Sequence, residues 1–486
     1  MSERYIISID QSTSATKVLL IDSHLDIVAR YDIPHRQIVT DNGWVEHDPN
    51  EIYSNTIEAV KKVVDISKTN KNSITAVGIS NQRETAVVWD LNTTLPVCNA
   101  IVWQCTRGES ICEQLREKGN ANRIREITGL HLSPYFSAAK IAWVLQNIDI
   151  KGKKIIAGTI DSWLIYKLTG QLKTDYSNAC RTQLFDITSL KWSEEVCAMF
   201  GIDIDILAEV VDSNANFGIT DFEGFLDEAI PVHAVMGDSH AALYGQGCME
   251  QGMLKATYGT GSSVMMNVGI KPVFSDKGLV SSIGWSIDNE VTYVLEGNIN
   301  YSGAVISWLI NDLNLISSPD SIAEYSTKAN EEDTTYIVPA FTGLGAPYWN
   351  SNAKAIICGM GRNTKKAEII RAAQESIAYQ IYDIVNIMNE ASRIPSVCLR
   401  VDGGPTRDDF LMQFQSDILN LSILVSAIEE LSALGVASLA GITIGLYERG
   451  SVFRNLNYTE FVPKMNEDKR IKKLEGWKAA VAMISN

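Results

Sequence analysis

Two short stretches, far apart in a chain of 486 residues, share one design. Tyr5–Asp22 (YIISIDQSTSATKVLLID) sets two apolar, β-branched runs, Ile6–Ile9 and Val18–Ile21, around a tip of Gln11, Ser12, Thr13, Ser14, Ala15 and Thr16. Such runs predict strands, and the hydroxyl-rich tip predicts the turn of a hairpin. With no bulky side chain at the tip, backbone N–H groups and hydroxyls lie open as donors for a phosphate chain. Asp10 ends the first strand, where a carboxylate is placed to face a magnesium ion, and Lys17 closes the tip with positive charge. An ordinary hairpin with a solvated turn fits this stretch as well. Leu254–Asn267 (LKATYGTGSSVMMN) repeats the plan: strand, Gly259-Thr260-Gly261-Ser262-Ser263, strand. The pair predicts an internal duplication with a boundary near 246–252, and so an N-terminal domain over 1–248 and a C-terminal domain over 249–486.

The length fits two domains with large cores. A net charge of −16 argues against a nucleic-acid partner and against an anionic membrane surface, while leaving room for a local, magnesium-assisted nucleotide site. The first strand begins within a few residues of the N-terminus, so no signal peptide is expected. The longest weakly polar run, Ala433–Tyr447, is too short for a bilayer and predicts a buried helix, with no membrane insertion. The eight cysteines lack CxxC spacing and are expected to be reduced, and the six histidines form no zinc pattern. A cytoplasmic protein is expected.

Along the chain, Asp48, Pro49 and Glu51 predict a capped helix start, with the helix running to about Ile66. Ile74–Ile79 predicts a strand covered on both faces, ending in Ser80-Asn81-Gln82-Arg83-Glu84-Thr85. Ligands gather at strand ends in open α/β sheets, and an Arg fork beside a Glu can hold adjacent hydroxyls of a polyol; a surface ion pair is the plainer alternative. Trp103 offers an apolar wall, and Tyr135 is either a loop aromatic or a hydroxyl in the pocket. Asp238 falls at a strand-to-helix junction, the place of a catalytic carboxylate or of a plain helix cap. Glu296-Gly297 leads into a helix expected over Ile299–Leu315, with Gly303 near its start. A loop rich in Gly, Pro and aromatics follows at Val338–Trp349. Asp402-Gly403-Gly404-Pro405-Thr406 links a strand to a helix, where glycines let backbone approach a ligand and the helix end favours phosphate.

Taken together, NQRET, NAIVWQC, PYFS, GDSHAALYGQ, TYGTG, VPAFTGLGAPYW, RVDGG and ALGVASLAG, in this order, resemble the FGGY carbohydrate kinases, nearest their glycerol-phosphorylating branch. The resemblance implies an α/β fold of two actin- and hexokinase-like (ribonuclease H-like) domains with a deep cleft. It implies ATP-dependent phosphorylation of a terminal hydroxyl of a small polyol, with magnesium and no nucleic-acid partner. Matched by position, Arg83, Glu84, Tyr135 and Asp238 bind the polyol with Trp103 as a wall, and Asp238 is the base. Ser12, Thr13, Ser14 and Lys17 match the first phosphate loop and Gly259, Thr260 and Gly261 the second. Gly303, Ser307, Gly403, Gly404 and Asp408 bound the nucleotide pocket, and Asp10 helps hold magnesium. A homodimer is left open.

The chain departs from the family in several places. Ser239 and His240 stand where two glutamines are usual, and Ser263 where phenylalanine is usual; these changes predict a roomier acceptor pocket, fit for a four- or five-carbon polyol or ketose. Ser12 stands where glycine is usual, which implies strain if its φ is positive. Asp408 and Ser307 replace the usual asparagine and glutamine of the adenine side. The loop for fructose 1,6-bisphosphate inhibition and the phosphorylatable histidine are both absent, around Phe222–Ala229 and Asp212–Thr220. Other readings stay open: a ketose kinase such as a xylulokinase, a chaperone- or filament-like ATPase, and a catalytically inactive sugar sensor.

Overall fold

The computed structural model describes residues 3–484 except 349, 451, 454 and 455, so Trp349 of the aromatic loop lies outside the described residues. The first hairpin forms as expected from its β-branched runs, with β1 (Tyr5–Gln11) and β2 (Ala15–Ile21) antiparallel and Asp10 facing Lys17 in register. It continues into β3 (Ile27–Pro34), antiparallel to β2. Helix α1 (Pro49–Ser67) starts on Asp48, whose side chain accepts from Asn50 N–H, but the expected answer from Glu51 does not occur. Glu51 accepts instead from the Arg36 backbone and guanidinium. β4 (Ile74–Asn81) and β5 (Ile230–Gly237) then add in parallel, giving the order β5-β4-β1-β2-β3 with a short edge strand outside β5. A second sheet built from strands between 38 and 159 flanks this one. β5 runs directly into α2 (Asp238–Gly245).

The second half repeats the arrangement. β6 (Met253–Tyr258) and β7 (Ser262–Gly269) form an antiparallel hairpin, extended by β8 (Val280–Ile287) and β9 (Glu290–Ile299). After α3 (Gly303–Asn311) and α4 (Lys366–Ser392), β10 (Cys398–Asp402) adds in parallel to β6, as β4 does to β1. Beyond α5 (Asp409–Leu419), β11 (Ile423–Ser426) adds in parallel to β10. The helix expected from Ile299 begins later, because Asn298 and Ile299 pair with Ser263 and Ser262 as the end of β9.

Alternation along the strands places two cores on each sheet. Ile7 and Ile9 of β1 pack with Ile52, Val60 and Val63 of α1, while Ile6 faces Ala241 and Leu243 of α2. That second face is also covered by α6 (Leu431–Thr443), a helix from the other half of the chain. Small residues permit the contact: a Cβ on Gly245 would lie 2.2 Å from the Leu431 carbonyl, and one on Gly435 2.0 Å from that of Ala241. Leu254, Ala256 and Tyr258 of β6 pack beneath α4 and α5, which leaves Lys255 and Thr257 on the opposite face. No helix among the described residues is long and apolar enough to cross a membrane.

Candidate active site

Both hairpin tips reach one cleft of about 1070 Å³. Of the expected residues, Asp10, Ser12, Thr13, Lys17, Arg83, Glu84, Trp103, Tyr135, Asp238, Ser239, Gly259, Gly261, Ser263, Gly403 and Gly404 line it. Gly303, Ser307 and Asp408 line an adjoining recess of about 520 Å³ that shares Gly404 and Arg407 with the cleft. Ser14 and Thr260 are exposed at their tips and line neither space.

At the first hairpin tip, Ser12 closes its own turn, its N–H and hydroxyl both donating to the Ala15 carbonyl at 2.9 Å. Its φ is not positive, so the condition for left-handed strain at this serine is not met. Thr13 is held from behind, its hydroxyl accepting from the Trp103 indole at 3.0 Å and its carbonyl from Gln37 at 2.8 Å. The second tip is docked on the next helix: Gly303 N–H donates to the Gly259 carbonyl at 2.8 Å and Ala304 N–H to that of Thr260 at 3.0 Å. Gly403 has φ +102°, and a Cβ there would lie 2.0 Å from the Tyr258 carbonyl, so only glycine forms this floor. Asp408 caps α5, accepting from Phe410 and Leu411 N–H, and its other oxygen accepts from Gln374. Its carboxylate is therefore spent on the helix start rather than turned freely into the recess.

Burial pushes the Asp10 carboxyl up to about 6, against the pull of Lys17 and of the Ser80 hydroxyl that donates to it at 2.7 Å. Lys17 lies 3.6 Å from Asp10 and 3.2 Å from Glu430. Among the described residues no three His, Cys, Asp or Glu side chains converge as a metal cage. What is present fits a magnesium ion held by one carboxylate, Asp10, and by phosphate oxygens. The hydroxyls of Ser262 and Ser263 and one oxygen of Asp402 are buried against the cleft without a partner, donors and acceptors that a polar ligand can satisfy.

The opposite wall of the cleft rests on a buried cluster of two arginines and two glutamates. Arg83 turns its fork onto Glu296 at 2.9 and 3.0 Å, and Arg181 bridges Glu84 at 2.5 Å and Glu296 at 3.0 Å. Burial alone would raise the Glu296 carboxyl, but the two guanidiniums hold it well below the usual carboxylate range. Arg83 thus presents mainly its Nε edge to the cleft, 3.4 Å from Asp238 Oδ1. Asp238 is the first residue of α2 with Gly237 as the cap, so it is not the plain cap that its position allowed. Its side chain is 34% exposed, against 6% for Arg83 and 2% for Glu84, so it is the open carboxylate of the group. Trp103 and Tyr135 meet edge to face with centroids 5.6 Å apart, and the Tyr135 loop is pinned by Lys140 Nζ, which donates to the carbonyls of Pro134, Tyr135 and Phe136. His240 is buried outside the cleft and frees no room for a ligand; Ser239 and Ser263 do line it. Glu296, Arg181 and Lys255 join the site without a local sequence signal for that role, and Lys255 also lines the cleft.

Two duplicated α/β lobes that bring hydroxyl-tipped hairpins and an open carboxylate to one cleft define a small-molecule phosphotransferase. The chain belongs to the FGGY family of carbohydrate kinases: residues 5–245 match the family's N-terminal domain and residues 254–444 its C-terminal domain. It is 47% identical over 489 residues to glycerol kinase 1 of Thermotoga maritima, covering 99% of both chains. A structure of Plasmodium falciparum glycerol kinase with ADP superposes with a TM-score of 0.94 at 37% identity, over 99% of this chain and 98% of that one. A ligand-bound xylulose kinase of Lactobacillus acidophilus shares the fold, with a TM-score of 0.87 at 21% identity over 99% and 97% of the two chains.

Proposed function

We propose that this protein transfers the γ-phosphoryl group of ATP to a terminal hydroxyl of glycerol or of a slightly longer, four- or five-carbon polyol. The observation that carries the reading is Asp238, a half-open carboxylate at a helix start, facing the same cleft as both phosphate-loop tips. Full-length similarity to glycerol kinases supports the acceptor class.

In this reading the acceptor's carbons rest against Trp103 and Tyr135, while Arg83 Nε and Glu84 orient its hydroxyls. Asp238 Oδ1 is engaged by Ser239 N–H at 2.6 Å and by Arg83, which leaves Oδ2 for the proton. As the acceptor oxygen bonds to the γ-phosphorus, the bond to the β-phosphate oxygen breaks and its electron pair leaves with ADP. The hydroxyl proton passes to Asp238. Magnesium, when bound, neutralises phosphate charge, with Asp10 the residue that would hold it. Lys17 and the loop N–H groups take up charge on the phosphates, and closure of the lobes keeps water from the γ-phosphate.

The unpartnered Ser263 hydroxyl, and Ser239 on the same cleft, support an acceptor longer than glycerol. A coupled assay of ADP release with glycerol, erythritol, xylitol, ribitol and xylulose tests both parts. No stimulation by any of them would overturn the kinase reading. Turnover of glycerol far above all the others would overturn the longer acceptor.

A further inference from the structure

Lys255 is a lysine in the middle of strand β6, 1% exposed, on the strand face that also carries Thr257. Strand register places Ser263 opposite Thr257 on one side and Asp402 beside it on the other, and all of these line the cleft. A buried ammonium is expected to have a carboxylate at ion-pair distance. None lies within 4.0 Å of Lys255 among the described residues, and no side chain or carbonyl there accepts a hydrogen bond from it. Burial lowers its pKa, while Asp402, Asp238 and Glu296 favour the charge and Arg83 opposes it. Those neighbours come from both sides of the reaction. Asp402 adjoins the glycine floor of the nucleotide end, whereas Arg83, Asp238 and Glu296 belong to the acceptor end. Lys255 thus lines the one cleft shared by Gly403 and Gly404 on one side and by Arg83 and Asp238 on the other.

We infer that Lys255 is a catalytic residue whose ammonium binds the oxygens of the phosphoryl group in transit. This rests on the phosphotransfer reading above and adds to it a third cation beside Lys17 and magnesium. The bonds exchanged are those already described, and Lys255 neither gains nor loses a proton. Its role is to meet negative charge that is greatest at mid-transfer, where a preorganised donor in a water-poor site acts most strongly.

The test uses the full chain with Lys255→Met and Lys255→Arg. Polyol-stimulated ADP release by the unmodified protein comes first; if there is none, the phosphotransfer reading fails before the lysine is tested. With that activity present, Lys255→Met is expected to lower kcat by about 100-fold or more, while KM for the polyol and Kd for ADP move less than about threefold. The second readout is binding alone: aluminium fluoride with polyol should tighten ADP binding to the unmodified protein, lose that effect with Lys255→Met, and partly keep it with Lys255→Arg. A kcat within about threefold of the unmodified protein would overturn the inference, as would a loss of ADP affinity equal to the loss of kcat. If Lys255→Met does not fold, Lys255→Arg decides: an aluminium fluoride effect identical to that of the unmodified protein overturns the inference, and a weakened one upholds it.

Discussion

Arg83 and Glu296, 213 residues apart in the chain, meet in a two-pronged, fully buried ion pair. The arginine comes from the first sheet's strand end and the glutamate from β9, in the sheet of the second half. The pair therefore ties this wall of the cleft to the other lobe and sets which edge of Arg83 the cleft sees. Arg181 and Glu84 complete the cluster, so its charges balance before any ligand arrives.

Glu296→Gln leaves two buried guanidiniums with one carboxylate. Breaking a buried pair in this way costs about 3–5 kcal/mol. The expected outcome is a clearly lower melting temperature and a polyol KM raised at least tenfold, on the order of the 1.5–3 kcal/mol carried by a hydrogen bond to a charged group. Thermal denaturation and initial-rate kinetics on the same preparation read both.

Asp238→Asn keeps the size of the side chain and removes the proton acceptor. Turnover should fall by about 10²–10⁴-fold, the range supplied by a positioned base. Calorimetric ADP binding should be nearly unchanged, because the adjoining recess does not include residue 238.

Gly403→Ala should damage the nucleotide end selectively. At φ +102° and ψ 168° the backbone is in a region essentially restricted to glycine, costing an alanine about 1–3 kcal/mol, and the Cβ would also collide with the Tyr258 carbonyl. ADP affinity should drop and the protein should melt earlier, and polyol binding measured without nucleotide should survive.

Ser263→Phe refills the acceptor end with an apolar ring. If a longer polyol is the acceptor, kcat/KM for four- and five-carbon substrates should fall relative to glycerol by at least about tenfold, the scale of 1–3 kcal/mol per excess methylene. The ratio of the two rates is the measurement.

Asp383 offers a pH test away from the chemistry. One of its oxygens accepts from both Tyr348 OH at 2.8 Å and Trp477 Nε1 at 2.7 Å, and burial pushes the carboxyl up to about 6. A raised acid pKa means the folded state binds more protons than the unfolded state between about pH 4 and 6. Stability contributed by this group therefore falls as pH rises through that window, by up to about 3 kcal/mol. Asp383→Asn can keep both hydrogen bonds without the charge. Its melting temperature should exceed that of the unmodified protein near pH 7.5, and the gap should shrink towards pH 5.

The hairpins were legible because a period-2, β-branched run around a tip of small hydroxyl residues has few other ways to fold. Asp238 was legible for a similar local reason, since an apolar strand followed by small helix formers marks a junction. Glu296, Arg181 and Lys255 were not. Each is a lone charge in a strand or a polar turn, and its meaning arises from partners that reach it only after the lobes assemble. Glu51 misled for the opposite reason: the capping pattern was present, but Arg36 competed for the carboxylate and won. The expected start at Ile299 failed because pairing with Ser262 of β7 keeps that residue in the strand.

Helix α6 gives the order of synthesis a structural meaning. When residues up to Gly245 have left the ribosome, Ile6, Ala76 and Ala234 have α2 on their face of the sheet but lack Ala433, Val436 and Ala437. That patch of hydrocarbon stays half-clothed until nearly two hundred further residues are made. The nascent first lobe is in this sense an unfinished object, and a chaperone or the arriving helix must shelter it from its neighbours.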